Sequence, residues 1–352
     1  MPPPLLEVSD LVISYGTLTG PIRALERVNL TVDKGESVAL VGESGSGKST
    51  LGLSVVKLLP LNSEYTSGKI VLDGKDITGL TNAQMKQIRG QTVFMVFQDP
   101  LNSLNPVKRI GPQIQEALTL KYKREGKPLD NMESRLIEAL NDVRIPDPEA
   151  ILQRYPHQLS GGQIQRVIIA MGLLMMPKLL IADEPTSAID VTLQAQILKL
   201  LKDLKTQYNM SLIFITHDIG VANIVADRIG VMYAGKLVEI GPSDEVIYSP
   251  SHPYSKGLIA SLPSGSRKKG RLQSIQGTPA SLVSPPMGCR YHPRCPYVME
   301  ICARSEPGFV SVKNSSVACW LYSTQSADRQ TEETMMSPGV AYPTKKLGSE
   351  AL

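Results

Sequence analysis

The chain has 352 residues, of which 42% are hydrophobic and 20% charged, and a formal net charge of +4. Such a composition belongs to a globular protein with a real core, long enough for two domains or for one large domain with an addition. So small a charge calls neither for nucleic acid nor for a membrane surface as partner.

The N-terminal stretch MPPPLLEVSDLVISY lacks the basic start, apolar centre and small-residue cleavage site of a signal peptide, and none is expected. A first strand ends near Tyr15. Short, continuous apolar runs follow at 37–41 (SVALV), 69–73 (KIVLD), 92–97 (TVFMVF), 179–183 (LLIAD), 212–216 (LIFIT) and 228–233 (RIGVMY). They read as fully buried strands. Helical patterns fall between several of them, at 48–58, 110–123, 163–176 and 191–207. This alternation predicts an α/β fold with a mainly parallel sheet. The nearest candidate for a membrane span, VIIAMGLLMM at 167–176, stops at Pro177 and Lys178. It falls short of the roughly 18 apolar residues a span requires, so the chain is expected in the cytosol unless something else holds it at a membrane.

The texture changes near residue 263. SLPSGSRKKGR reads as a linker, and residues 271–322 carry many prolines and all four cysteines. From about 323 the chain is polar and expected to be disordered. The expected division is therefore 1–262, 263–322 and 323–352.

Residues 42–50, GESGSGKST, fit G-x-x-x-x-G-K-[ST], follow the strand SVALV and open a helix, which is the context a phosphate loop requires. Gly42, Gly45 and Gly47, with Ser44 between them, let the backbone amides turn inward toward phosphate. Lys48 is placed to reach the β- and γ-phosphates and Ser49 to hold Mg²⁺, with Thr50 completing the motif. The partner acidic site is LLIADEP: Asp183 ends a buried strand where it can hold Mg²⁺, and Glu184 is placed to orient or deprotonate an attacking water. The N-K-x-D guanine reader of GTPases is missing.

LSGGQ at 159–163 precedes a helix and then the LLIADE strand. Here the chain resembles the ATPase subunits of ABC transporters. The resemblance implies a mainly parallel sheet core, an antiparallel β subdomain, a helical signature subdomain and a small Cys-rich C-terminal extension. It implies that Tyr15 stacks on adenine and that Gln98, in VFQDP, contacts Mg²⁺ and water and senses the membrane subunits. Ser160, Gly161, Gly162 and Gln163 match the signature, SAID at 187–190 matches the loop that crosses the dimer interface, and His217 matches the switch histidine that contacts the γ-phosphate. Ile189 stands where the family more often has Leu, a volume-conserving change. His157 is expected to order the signature loop. Ser160, Gly161 and Gly162 at a helix start offer a hydroxyl, free amides and a positive dipole end, which suit a γ-phosphate; as a bland alternative, SGGQ is a helix cap. The family's arrangement is a head-to-tail dimer with ATP between one subunit's phosphate loop and the other's signature.

Finer resemblance is to the dipeptide/oligopeptide importer branch. It rests on FQDPLNSLNPVKRIG, YPHQLSGGQ, SPSHPYSKGL with its HPY stretch at 252–254, and CRYHPRCP with the later cysteines. This implies two membrane permease subunits, a second and related but distinct ATPase chain, an extracytoplasmic solute-binding protein, and a peripheral place on the cytoplasmic face of the membrane. Nucleic acid is not an expected partner. Nickel or oligosaccharide uptake is the nearer alternative, and a soluble ATPase switch acting on ribosome or DNA the more distant one.

Cys289, Cys295, Cys302 and Cys319 follow a C-x5-C-x6-C-x16-C spacing, unlike common zinc modules or ferredoxins. In a reducing compartment such a cluster reads as metal ligands before disulfides, and an irregular, coreless segment would gain from a metal staple. The resemblance implies a [4Fe–4S] cluster; Zn²⁺ and free thiols remain alternatives.

Overall fold

The computed structural model describes residues 2–18, 20–187, 190–262 and 274–323. Its strands in chain order are β1 (Leu6–Thr17), β2 (Gly20–Val32), β3 (Ser37–Val41), β4 (Ser63–Leu72), β5 (Lys75–Asp76), β6 (Val93–Val96), β7 (Leu179–Asp183), β8 (Ser211–Thr216), β9 (Arg228–Tyr233), β10 (Lys236–Pro242), β11 (Phe309–Val312) and β12 (Ser315–Ala318). They form an antiparallel sheet in the order β2-β1-β4-β5 and a larger sheet in the order β11-β12-β10-β9-β3-β8-β7-β6. In the larger sheet β9, β3, β8, β7 and β6 run parallel, while β10, β12 and β11 add antiparallel pairs at one side.

The helices are α1 (Lys48–Val56), α2 (Asn82–Ile88), α3 (Ile110–Glu125), α4 (Met132–Asp142), α5 (Pro148–Gln153), α6 (Gly161–Met175), α7 (Val191–Tyr208), α8 (Ile219–Val225), α9 (Ser243–Tyr248), α10 (Pro253–Ala260) and α11 (Glu300–Arg304). The strand β3 shows how the layers form. Successive side chains point to opposite faces. Val38 and Leu40 join a core with Leu51 and Val55 of α1 and with Leu6, Val8 and Ile70 of the antiparallel sheet. Ala39 and Val41 join the other core, with Ile114 of α3, Val167 of α6 and Leu201 of α7. A strand covered on both faces has no polar side, hence its unbroken apolar run.

KIVLD was expected among these buried strands. It ends β4 in the antiparallel sheet instead, with Ile70 and Leu72 buried and Lys69 exposed. The alternation, not the apolar content, carries the topology there.

The C-terminal segment corrects a second expectation. It is not coreless: Tyr291 is 3% exposed, and β12 pairs with β10 through Glu239↔Val317 and Ile240↔Ser316, so the segment extends the main sheet. Four-residue strands are too short to show a period in sequence. The linker lies almost wholly outside the described residues, as does the tail beyond residue 323. Seating β12 requires Gly241, where a Cβ would stand 2.0 Å from Ser315 Oγ and 3.0 Å from its Cα. Gly241→Ala is therefore expected to force the two strands apart at a cost of about 1–3 kcal/mol. A thermal melt checks it: an unchanged Tm would mean that this pairing adds nothing to stability.

Candidate nucleotide-binding site

The phosphate loop joins β3 to α1. Gly42 has a φ of 152°, and a Cβ on it would lie 2.1 Å from the Met232 carbonyl oxygen. Gly47 has a φ of 100°, with the Ala24 carbonyl oxygen 2.7 Å from a Cβ there. Both positions demand glycine on backbone conformation and on space. Ser44 and Gly45 lie exposed at the loop tip.

Lys48 is buried at the first turn of α1. Its Nζ donates to the Gly42 oxygen at 2.8 Å, the Glu43 oxygen at 3.0 Å and Ser46 Oγ at 3.3 Å. Burial lowers its pKa, against the opposing pull of Glu184, Asp183 and Glu43. Ser49 Oγ donates to Asp183 Oδ1 at 3.0 Å. Burial pushes the Asp183 carboxyl up to about 6, although the Ser49 hydroxyl opposes it. A carboxylate starved of water in this way gains from a cation.

Glu184 follows β7 with a φ of 45°, a left-handed conformation rare for its residue type. Its amide donates to the Ile215 oxygen of β8, which fixes the turn. Its Oε2 lies 3.2 Å from Gln98 Nε2 and 3.2 Å from His217 Nδ1. Tyr15 OH lies 3.1 Å from Thr50 Oγ1, tying the end of β1 to the start of α1. The fold thus gathers Tyr15, Gln98, Lys48, Ser49, Thr50, Asp183, Glu184 and His217 from distant parts of the sequence.

It does not bring the signature to them. Ser160 and Gly161 are exposed, and among the described residues no hydrogen bond joins the signature to the phosphate loop. Ser160 and Gln163 form a capping box on α6: Ser160 Oγ accepts the Gln163 amide at 3.3 Å, and Gln163 Oε1 accepts the Ser160 amide at 3.0 Å. The cap reading of SGGQ is therefore correct as local structure. Gly162 packs closely on α7, where a Cβ would be 3.3 Å from Leu193 Cδ1. His157 is exposed and stacks on Tyr155 at 5.6 Å. In the 187–190 stretch, Ser187 Oγ donates to the Glu184 oxygen and Asp190 caps α7 through the Leu193 amide; Ala188 and Ile189 lie outside the described residues.

Three residues at the site escaped sequence reasoning: Glu43, Tyr254 and Arg294. Glu43 occupies a free position of the phosphate-loop motif, and the HPY stretch gave only a resemblance. In the structure the stretch is a built corner. Glu239, fully buried, accepts the Ser251 and His252 amides at 2.8 and 2.9 Å. His252 Nδ1 accepts the Tyr254 amide at 3.0 Å and caps α10, with burial holding the ring's pKa down to about 3 and so neutral.

The four cysteines are free, and their thiols lie within electrostatic reach of one another. Burial first, and then the neighbouring thiols, push Cys295 up to about 11 and Cys319 up to about 12. Yet among the described residues no group of three or more His, Cys, Asp or Glu side chains is arranged to hold a metal ion. The expected iron–sulfur or zinc site is thus not formed in this structure: four donors of the right kind are near, but not drawn to ligand geometry.

A strand–glycine loop–helix with a buried lysine, a Ser–Asp pair and a flanked glutamate defines a P-loop ATPase. Residues 25–187 match the ABC transporter family model, and residues 238–302 match that of the oligopeptide/dipeptide transporter C-terminal region. The chain is 48% identical to the oligopeptide transport ATP-binding protein OppD of Bacillus subtilis, over 90% of this chain and 88% of that one. It is 44% identical to the dipeptide transport ATP-binding protein DppD of the same organism, over 95% and 98%. Its fold matches the dimeric ATP-binding cassette MJ0796 bound to ADP and phosphate, with a TM-score of 0.61, 30% identity, and coverage of 68% of this chain and 98% of that one. The chain belongs to the ATP-hydrolysing subunits of the oligopeptide/dipeptide ABC transporters.

Proposed function

We propose that this subunit powers peptide import as half of a head-to-tail pair of nucleotide domains, each lending its signature to ATP seated on the other. The observation that carries this reading is that Glu184 stands with Gln98 and His217 beside Lys48, while Ser160 and Gly161 of the same chain are exposed and, among the described residues, hydrogen-bonded to none of them. The dimeric cassette that the fold resembles supports it. Lys48 leaves the loop carbonyls to neutralise the β- and γ-phosphates. Ser49 and Asp183 would hold Mg²⁺, which would supply positive charge against the phosphates. Glu184 takes a proton from, or orients, the attacking water, with His217 on the γ-phosphate and Gln98 reporting the state of the permeases.

Membrane permeases are the partners the family implies. No helix among the described residues is long and apolar enough to cross a membrane, so attachment falls to those permeases. The loop after Gln98 suits a coupling helix: Leu101 and Val107 are exposed apolar residues on a segment anchored by buried Leu104. Two permeases, a related second ATPase chain and an extracytoplasmic solute-binding protein complete the proposed assembly on the cytoplasmic face. Four free cysteines that neighbour one another electrostatically support a [4Fe–4S] group that Cys289, Cys295, Cys302 and Cys319 would hold. Anaerobic purification with iron and sulfide analysis tests this; stoichiometric zinc, or no metal, sinks it.

Affinity purification from membranes tests the main reading. Integral membrane subunits should accompany the chain, and MgATP should drive pairing of ATPase subunits. A monomeric chain that hydrolyses ATP at the full rate of the assembly, with Ser160 dispensable, would overturn it.

A further inference from the structure

Glu43 is gripped from two sides by residues far along the chain. Its amide donates to the Tyr254 hydroxyl at 2.9 Å, so this loop amide is already satisfied from within the protein. Its carboxylate takes two parallel bonds from Arg294, Nη1 to Oε2 at 2.7 Å and Nη2 to Oε1 at 3.0 Å. Such bidentate, charge-assisted pairs fix direction as well as energy. The Arg294 side chain is 4% exposed, and its Nε donates to the Gln276 oxygen at 3.0 Å, so the guanidinium is itself held.

Arg294 sits in the turn between Cys289 and Cys295, where its amide donates to the Tyr291 oxygen at 2.9 Å. The Tyr291 ring packs on Tyr233 at 5.2 Å and on Tyr254 at 5.3 Å. Both grips on Glu43 therefore spring from one aromatic corner that joins β9, α10 and the cysteine segment. On the other side, the Glu43 carbonyl accepts from Lys48. A connected path runs from the cysteine turn through Arg294 and Glu43 to the phosphate-binding lysine.

The charge arrangement gives this path a function. A carboxylate on the phosphate loop opposes a polyphosphate and competes with it for Lys48. Arg294 neutralises that carboxylate and holds it aside. Resting on the nucleotide-site reading above, we infer that Arg294 and Tyr254 are positioning residues for ATP: through Glu43 they make the C-terminal segment part of the machinery that shapes the phosphate loop.

The test is the MgATP affinity of the full chain by titration calorimetry, wild type alongside. Arg294→Ala frees the Glu43 carboxylate and is expected to raise the Kd about tenfold or more, the scale of one lost charge-assisted bond. Adding Glu43→Gln removes the freed charge and is expected to recover most of that loss. Arg294→Lys, with a charge but no fork, should fall between. A merely structural role for Arg294 would lower Tm without this rescue of affinity. Tyr254→Phe keeps the buried ring and removes only the acceptor of the Glu43 amide; it is expected to weaken binding several-fold. The inference is overturned by a folded Arg294→Ala chain with wild-type Kd, or by a weakened one that Glu43→Gln does not restore. Should Arg294→Ala fail to fold, an unchanged Kd in Tyr254→Phe overturns it and a weakened Kd supports it. A wild-type chain that binds no MgATP would instead refute the nucleotide-site reading itself.

Discussion

Glu184→Gln is expected to bind MgATP about as tightly as the wild type and to hydrolyse it about 10²–10⁴ times more slowly, the range that a positioned general base contributes. The amide keeps the size of the side chain and can still meet Gln98 and His217, each 3.2 Å from Glu184 Oε2. What it loses is the ability to accept a proton from water. Because the phosphate loop and the Ser49–Asp183 pair are untouched, binding persists while turnover stops, and the ATP-bound pair of subunits should accumulate. Single-turnover hydrolysis and size-exclusion chromatography in MgATP read the two effects separately. Wild-type turnover in this variant would mean that Glu184 does not act on the water.

Lys48→Ala is expected to act at the earlier step. Its ammonium is buried at the head of α1, where it satisfies the Gly42 and Glu43 carbonyls and Ser46. Burial lowers its pKa, so its charge is poorly solvated and gains from an anion beside it. Loss of two charge-assisted contacts to phosphate, at about 1.5–3 kcal/mol each, should raise the Kd for MgATP by about 10²-fold or more. The empty protein should stay folded, since removing a desolvated charge takes away a cost as well as three hydrogen bonds. Calorimetry for nucleotide and a thermal melt of the nucleotide-free chain check both parts. Tight MgATP binding by a folded Lys48→Ala chain would remove Lys48 from the site.

Much of the site was legible because its parts are local. A strand, a glycine turn and a helix start within 42–50 specify their own geometry, and Gly42 and Gly47 show why: their backbone angles and tight surroundings admit nothing larger. LLIADE is similarly self-contained, a buried strand whose end delivers two carboxylates. The SGGQ stretch is local in a different sense, since its capping box satisfies the Ser160 and Gln163 amides from within the stretch itself. Where a reading depended on apolar content alone it went astray, as with KIVLD, whose Lys69 faces out.

A P-loop ATPase is thus readable from short stretches, because adjacent residues impose the turns and caps that such a site needs. The placement of the C-terminal segment came from packing alone. Its strands join the main sheet beside β10, and its Arg294 reaches back across 251 positions to the carboxylate of Glu43. Short strands, a lone arginine and a lone glutamate carry no period and no spacing. Their meaning lies in packing, through a buried aromatic corner that no stretch of neighbouring residues describes.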